Sequence, residues 1–222
     1  MIMSKKMMLL ALVVAALFAL PSAASSQEIH FSGVTSFSGS GPAGSLAAAN
    51  EPKISFTEIK SASGGFTSGS STTGEIKLTF AGATAEFLGI KGNCNTSGDA
   101  AGVITSSATF HLITTNTGKP GILVTPVTTT IICTGFSRVE VTGPGIIGTI
   151  TSPACGASSK ELKVSFEAEG STQKHMEYTD VPFDLVADTE KADGTTTGVN
   201  GTAALSASAT LTSATAGTLE CT

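Results

Sequence analysis

Polar and apolar residues alternate along most of this chain. In "EIKLTF" the apolar positions Ile76, Leu78 and Phe80 share one side. In "ATFHLI" Ala108, Phe110 and Leu112 do so, with Thr109 and His111 opposite, and "RVEVTG" aligns Val139 and Val141. "KELKVSFEAEG" sets Leu162, Val164, Phe166 and Ala168 against Lys163, Ser165, Glu167 and Glu169. "AALSASATLTS" repeats the pattern with Ala203, Leu205, Ala207, Ala209 and Leu211. Successive side chains of a strand point to opposite faces, so each segment predicts a strand with one buried and one wet face. Clusters of Gly, Asn and Ser interrupt these runs at short intervals, which is the punctuation of hairpins and meanders. The expected fold is all-β, an antiparallel sandwich or a barrel-like meander. Abundant threonine fits the wet faces, being β-branched and polar at once.

Two stretches depart from period two. "AGSLAAANEP" is rich in alanine and allows a short helix bounded by Gly44 and Pro52. Residues 38–74 contain "SGSGPAGS" and "SASGGFTSGSSTTG" around a short strand with Ile54, Phe56 and Ile59. That composition reads as a loose Gly/Ser-rich excursion, either a long edge or an arm.

The amino terminus follows another rule. Lys5 and Lys6 precede an apolar run from Met7 to Leu20, and "PSAA" then supplies small residues for a peptidase. These are the three parts of a secretory signal peptide, expected to be helical and removed near Ala24. The run is shorter than the roughly 20 apolar residues of a spanning helix. The expected organisation is a signal peptide at 1–24 and one secreted all-β domain at 25–222, with no membrane span in the mature chain. Its destination is extracellular, periplasmic or at the cell envelope, where a surface or extracellular partner is expected.

Removing the leader takes two of the twelve basic residues and none of the seventeen acidic ones, leaving a net charge near −7. Phosphate neutralisation needs clustered Lys and Arg, so an acidic chain whose one arginine is Arg138 is not expected to bind nucleic acid. One tyrosine, Tyr178, and no tryptophan weaken a lectin reading, since sugar sites lean on aromatic faces.

Catalytic signatures are lacking. His30, His111 and His175 form no HExxH or other ligand spacing, and no G-x-S-x-G elbow occurs. His111 is expected on the wet face of its strand and His175 beside a turn. "DVPFDLVADTEKADG" carries Asp180, Asp184, Asp188, Glu190 and Asp193, without the residue order of a calcium loop, and reads as a solvated strand and loop. No catalytic residue, cofactor or metal site is expected; the chain reads as a non-catalytic structural or interaction module. The alternative is a binding module for an apolar or carbohydrate ligand, with Phe110, Phe166 and Leu205 lining its cavity.

The four cysteines, Cys94, Cys133, Cys155 and Cys221, sit in no CxxC or Cys/His cluster. In an exported chain they read as two disulfides, for which three connectivities are open. "CNTSGDAAGVI", "TTTIICTG", "RVEVTGPGIIGTITSP" and "SKELKVSFEAEGSTQK" together resemble a family of uncharacterised secreted β-rich bacterial proteins of actinobacterial type. The resemblance covers roughly residues 90–215. It implies the pairs Cys94–Cys133 and Cys155–Cys221 and brings no activity with it. The chain departs from that pattern at "GPG", where Pro144 predicts an interrupted strand.

Amino-terminal sequencing of exported protein is expected to begin near Ala24 or Ser25; a first residue of Met1 would remove the basis for export.

Overall fold

The computed structural model describes residues 29–49, 51–135, 138–174, 177–178, 181–182, 185–190 and 201–221. The expected signal-peptide helix lies outside them. No helix occurs among the described residues; the chain forms a closed antiparallel barrel, which decides between the sandwich and the barrel.

The strands group into eight long staves. The first carries β1 (Ile29–Ser32), β2 (Ser36–Gly41) and β3 (Gly44–Ala48), and the second β4 (Ile54–Phe56) and β5 (Glu58–Phe66). The third holds β6 (Thr73–Ala81) and β7 (Thr84–Phe87), and the fourth β8 (Ile90–Thr96) and β9 (Val103–Thr114). β10 (Pro120–Thr125) and β11 (Val127–Cys133) make the fifth, β12 (Arg138–Gly143) and β13 (Ile146–Ser152) the sixth. The seventh begins with β14 (Ser158–Phe166). Two small hairpins interrupt it, β15 (Ala168–Glu169) with β16 (Thr172–Gln173) and β17 (Glu177–Tyr178) with β18 (Val181–Pro182), before it resumes as β19 (Leu185–Glu190). The eighth is the single 21-residue strand β20 (Gly201–Cys221).

Each stave pairs antiparallel with the next, and β20 pairs back onto β1, β2 and β3 of the first. One end of the barrel is the ring β14-β13-β10-β9-β6-β5-β2-β20, the other β19-β12-β11-β8-β7-β4-β3-β20. Chain continuity joins the two rings stave by stave, so the topology is an up-and-down meander closed on itself. β1 and β2 share one register on β20, since Ser32 faces Thr218 and Ser38 faces Thr212.

The junction between the rings is a waist at which nearly every stave breaks. Pro42, Pro126 and Pro144 stand between the strands of the first, fifth and sixth staves. Proline cannot donate to a ladder, so pairing stops at each of them, as "GPG" predicts. In the second and third staves the gap is bridged by bonds to the neighbouring stave: the Thr57 N–H donates to the Ala81 carbonyl at 2.9 Å, and the Ala83 N–H to that of Gly102 at 2.9 Å.

The inward positions match the alternation in the sequence. Ile76, Phe80, Phe110, Leu112, Val139, Val141, Leu162, Val164, Leu205 and Leu211 are buried in one continuous core. An exception lies on the outward face of β9, β10 and β13, where Ile113, Leu123 and Ile147 form a second buried cluster. These strands are apolar on both faces, and "GILV" and "IIG" read as runs rather than alternations.

Segment 38–74 is not a loose excursion. It supplies β2 to β5 and the start of β6, all paired on both sides within the wall. Its glycines are what close packing needs: a Cβ on Gly74 would stand 2.1 Å from the Gly65 carbonyl oxygen and 2.6 Å from the Phe110 ring. Phe110 in turn meets Phe66 edge-on, with ring centroids 5.2 Å apart, and Phe37 at 5.6 Å. Nor does "AGSLAAANEP" form a helix. Residues 44–48 are β3, where Ala47 and Ala48 lie opposite Ala204 and Ala203; ladder bonds on both sides outweigh a weak helix propensity.

A single side chain completes the wall where the seventh stave is interrupted. β14 pairs with β20 only as far as Ala207, and β19 only from Ala203 downward, so residues 204–206 lack a strand on that side. Gln173, 1% exposed, takes the vacant place. Its Nε2 donates to the carbonyls of Leu205 (3.1 Å) and Glu167 (2.7 Å), and its Oε1 accepts from the Leu205 N–H (3.0 Å). The amide carries the donor and acceptor that a strand would have offered.

Gln173→Ala is therefore expected to cost about 2–3 kcal/mol in urea unfolding, because buried main-chain groups lose their partners. Lys174→Ala, which removes the neighbouring exposed ion pair with Glu167, is expected to change stability by less than about 0.5 kcal/mol. Equal effects would remove the special role of the amide.

Candidate functional site

The four cysteines form two disulfides, Cys94–Cys133 and Cys155–Cys221, with none left free. Of the three open connectivities this is the one that the resemblance implies. Cys94 on β8 and Cys133 on β11 face each other directly in register and are 0% and 3% exposed, inside the barrel. The second bond ties the turn after β13 to the end of β20, where Cys155 is exposed and Cys221 half-buried. The Gly156 N–H donates to the Leu219 carbonyl at 2.7 Å beside it. Sequence separations of 39 and 66 make each bond worth about 4 kcal/mol in the chain-entropy account. Both cysteine pairs are scaffold rather than reactive site.

The main cavity lies inside the barrel at the waist and measures about 80 Å³. Side chains from both rings line it, among them Leu46, Phe56, Leu78, Val127, Leu185 and Leu205. Only two hydroxyl side chains, Ser106 on β9 and Thr129 on β11, interrupt this apolar lining, and their oxygens are 2.9 Å apart. Of the three residues expected to line a cavity, Leu205 does so here. Phe166 joins it in a smaller adjoining space of about 20 Å³. Phe110 lies in the aromatic cluster and borders a third space of about 10 Å³.

Among the described residues no titratable side chain lines that cavity. His111 is on the outward face as expected, directly opposite Leu123, and its partial burial lowers its pKa below the ordinary imidazole value. His30 Nδ1 lies 3.0 Å from the Ser71 hydroxyl, and Glu220, which accepts a 2.8 Å bond from Ser32, faces His30 across the ladder. This Ser–His–Glu neighbourhood sits on the barrel rim, and neither the waist cavity nor the two smaller spaces described above border it. His175, Asp180, Asp184 and Asp193 lie outside the described residues. Asp188 and Glu190 are on β19, opposite Glu140 and Arg138 in register. Among the described residues no three His, Cys, Asp or Glu side chains group as metal ligands. Asp99, in the loop between β8 and β9, accepts from Thr96, and the Thr96 and Thr105 side chains hold its carboxyl below the usual range.

Sequence reading missed one surface feature. Among the described residues the large apolar side chains exposed to water are Leu88 (87%), Ile90 (61%) and Ile132 (41%), the first two at the β7–β8 turn. Leu88 has φ 51° and Gly89 φ 80°, the arrangement of a two-residue hairpin turn in which both central residues are left-handed. Asn, Asp or Gly normally occupies the first of these places, so "LG" in place of "NG" hides the turn.

Limited reduction with a small thiol, followed by alkylation and peptide mapping, is expected to label Cys155 and Cys221 first. Cys94 and Cys133 should react only when the barrel opens. Labelling in the reverse order would contradict the burial of the inner bond.

In comparisons with known protein families, curated proteins and solved structures, none matches the chain.

Proposed function

We propose that this chain is an exported, non-catalytic β-barrel module that acts through its outer surface, in the extracellular medium or at the cell envelope. The observation that carries the reading is the filled interior. The waist cavity, about 80 Å³, is well below the roughly 300–1,000 Å³ of pockets that enclose organic ligands. Acid–base or nucleophilic catalysis needs groups within hydrogen-bond reach of a substrate site, and the cavity is bordered by aliphatic and aromatic side chains and two hydroxyls. What is left to engage a large partner is the outside of the barrel.

Two disulfides support an oxidising compartment, in keeping with the leader at the amino terminus. No helix of the described residues is long and apolar enough to cross a membrane. The exposed Leu88–Ile90 tip supports an interaction role, because a leucine there costs left-handed backbone strain and solvates apolar surface without helping the fold. The alternative, a binding module, is narrowed by the same interior. A carbohydrate would bury many hydroxyls against an apolar lining, at a cost for each left unpaired.

Native mass spectrometry of protein purified from its own culture medium tests this reading. The expected mass is that of the leaderless chain with two disulfides and no adduct. A retained organic ligand too large for the waist cavity would overturn it and favour the binding module.

A further inference from the structure

The waist cavity contains a chemical asymmetry that packing alone does not require. Ser106 and Thr129 project inward among Leu78, Ala108, Val127 and Ile131; Thr129 is buried, at 8% exposed, and Ser106 is half-buried. Their hydroxyl oxygens are 2.9 Å apart. Whichever of them donates, the other keeps its own O–H hydrogen, and neither has a further acceptor among the described residues. A buried hydroxyl without an acceptor costs on the order of 1–3 kcal/mol. A valine and an alanine would have filled the same places without that cost.

We propose that this cavity is a binding site for a small apolar molecule bearing one acceptor oxygen, of the ketone, aldehyde or short ester class. The spare O–H donates to the carbonyl oxygen, and the surrounding aliphatic side chains receive the hydrocarbon part. Size sets the class. An apolar cavity of about 150 Å³ holds benzene, so about 80 Å³ takes a molecule of roughly three to five non-hydrogen atoms. The polar pair sets the chemistry, since a pure hydrocarbon would leave the donor unpaired and a polyol would bring hydroxyls that the lining cannot match. The site goes beyond the surface role proposed above, and the absence of a large retained ligand leaves it intact.

The test uses two probes of nearly equal shape, acetone and 2-methylpropene, titrated into the disulfide-bonded mature protein and followed by methyl NMR. Acetone is expected to shift the methyl signals of Val127, Leu78 and Leu205 saturably. The double variant Ser106→Ala with Thr129→Val removes both donors and should weaken acetone about fivefold or more, the size of one hydrogen bond, while 2-methylpropene binds as before. Thr129→Val alone retains the Ser106 donor and should keep most of the acetone affinity. It also serves as the folded control should the double variant fail to fold, since acetone then has to bind it within about twofold of the parent. Three results would overturn the proposal: no saturable shift of the inward methyls, equal acetone affinity in parent and double variant, or a high-resolution structure in acetone with water alone at the hydroxyl pair.

Discussion

Closure of the wall by β20 is the constraint on which the rest of the molecule depends. This strand pairs with β1, β2 and β3 on one side and with β14 and β19 on the other. Without it the first and seventh staves would each expose a row of unpaired N–H and C=O groups, and the inward side chains would face an open trough. The ladder joins the two ends of the described chain, Ile29 facing Cys221. Such non-local pairing carries a loop-closure cost before it contributes, and the Cys155–Cys221 bond beside the same ladder lowers that cost by restricting the unfolded chain.

The waist is where closure is hardest, because each break in a stave leaves main-chain groups of its neighbours without partners. Three kinds of repair appear. Proline needs no ladder partner for its nitrogen; the Thr57 and Ala83 amides find carbonyls on the neighbouring stave; and Gln173 substitutes its side-chain amide for an absent strand. These repairs let two rings of different side-chain content share one continuous core. Three polar side chains of the interior, Gln173, Ser106 and Thr129, lie at or near the waist.

The filling of the interior follows from stave number and residue size together. Eight strands enclose a space that side chains can just occupy or that can hold one small ligand. Here Phe37, Phe56, Phe66, Phe80 and Phe110 take up much of that space, with Phe56 and Phe80 centred 4.7 Å apart. Glycine opposite such rings lets the wall bend inward over them, as Gly74 does over Phe110. An interior so occupied has little room for a large substrate, which moves the weight of the functional reading to the outside surface and to the small waist cavity.

By itself the sequence determined the class of structure and the facing of most side chains. Strand alternation is a local property of the backbone, so Ile76, Phe110, Val164 and Leu205 could be assigned inward from their neighbours alone. Pro144 likewise marked a break, because a missing N–H is lost in any context. Tertiary structure decided whether the strands form two layers or one closed wall, since closure is a pairing between staves remote in the chain and leaves no local signature. It also placed the glycines of residues 38–74, which look like linker until the rings and carbonyls packed against them are known. Burial of the outward Ile113, Leu123 and Ile147 was decided there too. The part of Gln173 lies furthest from the sequence. A glutamine after a turn looks like a surface residue, and only the gap between β14 and β19 over Leu205 gives its amide two partners to satisfy. The pairing of Ser106 with Thr129 has the same origin, for residues 23 positions apart meet only because two staves are neighbours in the closed wall.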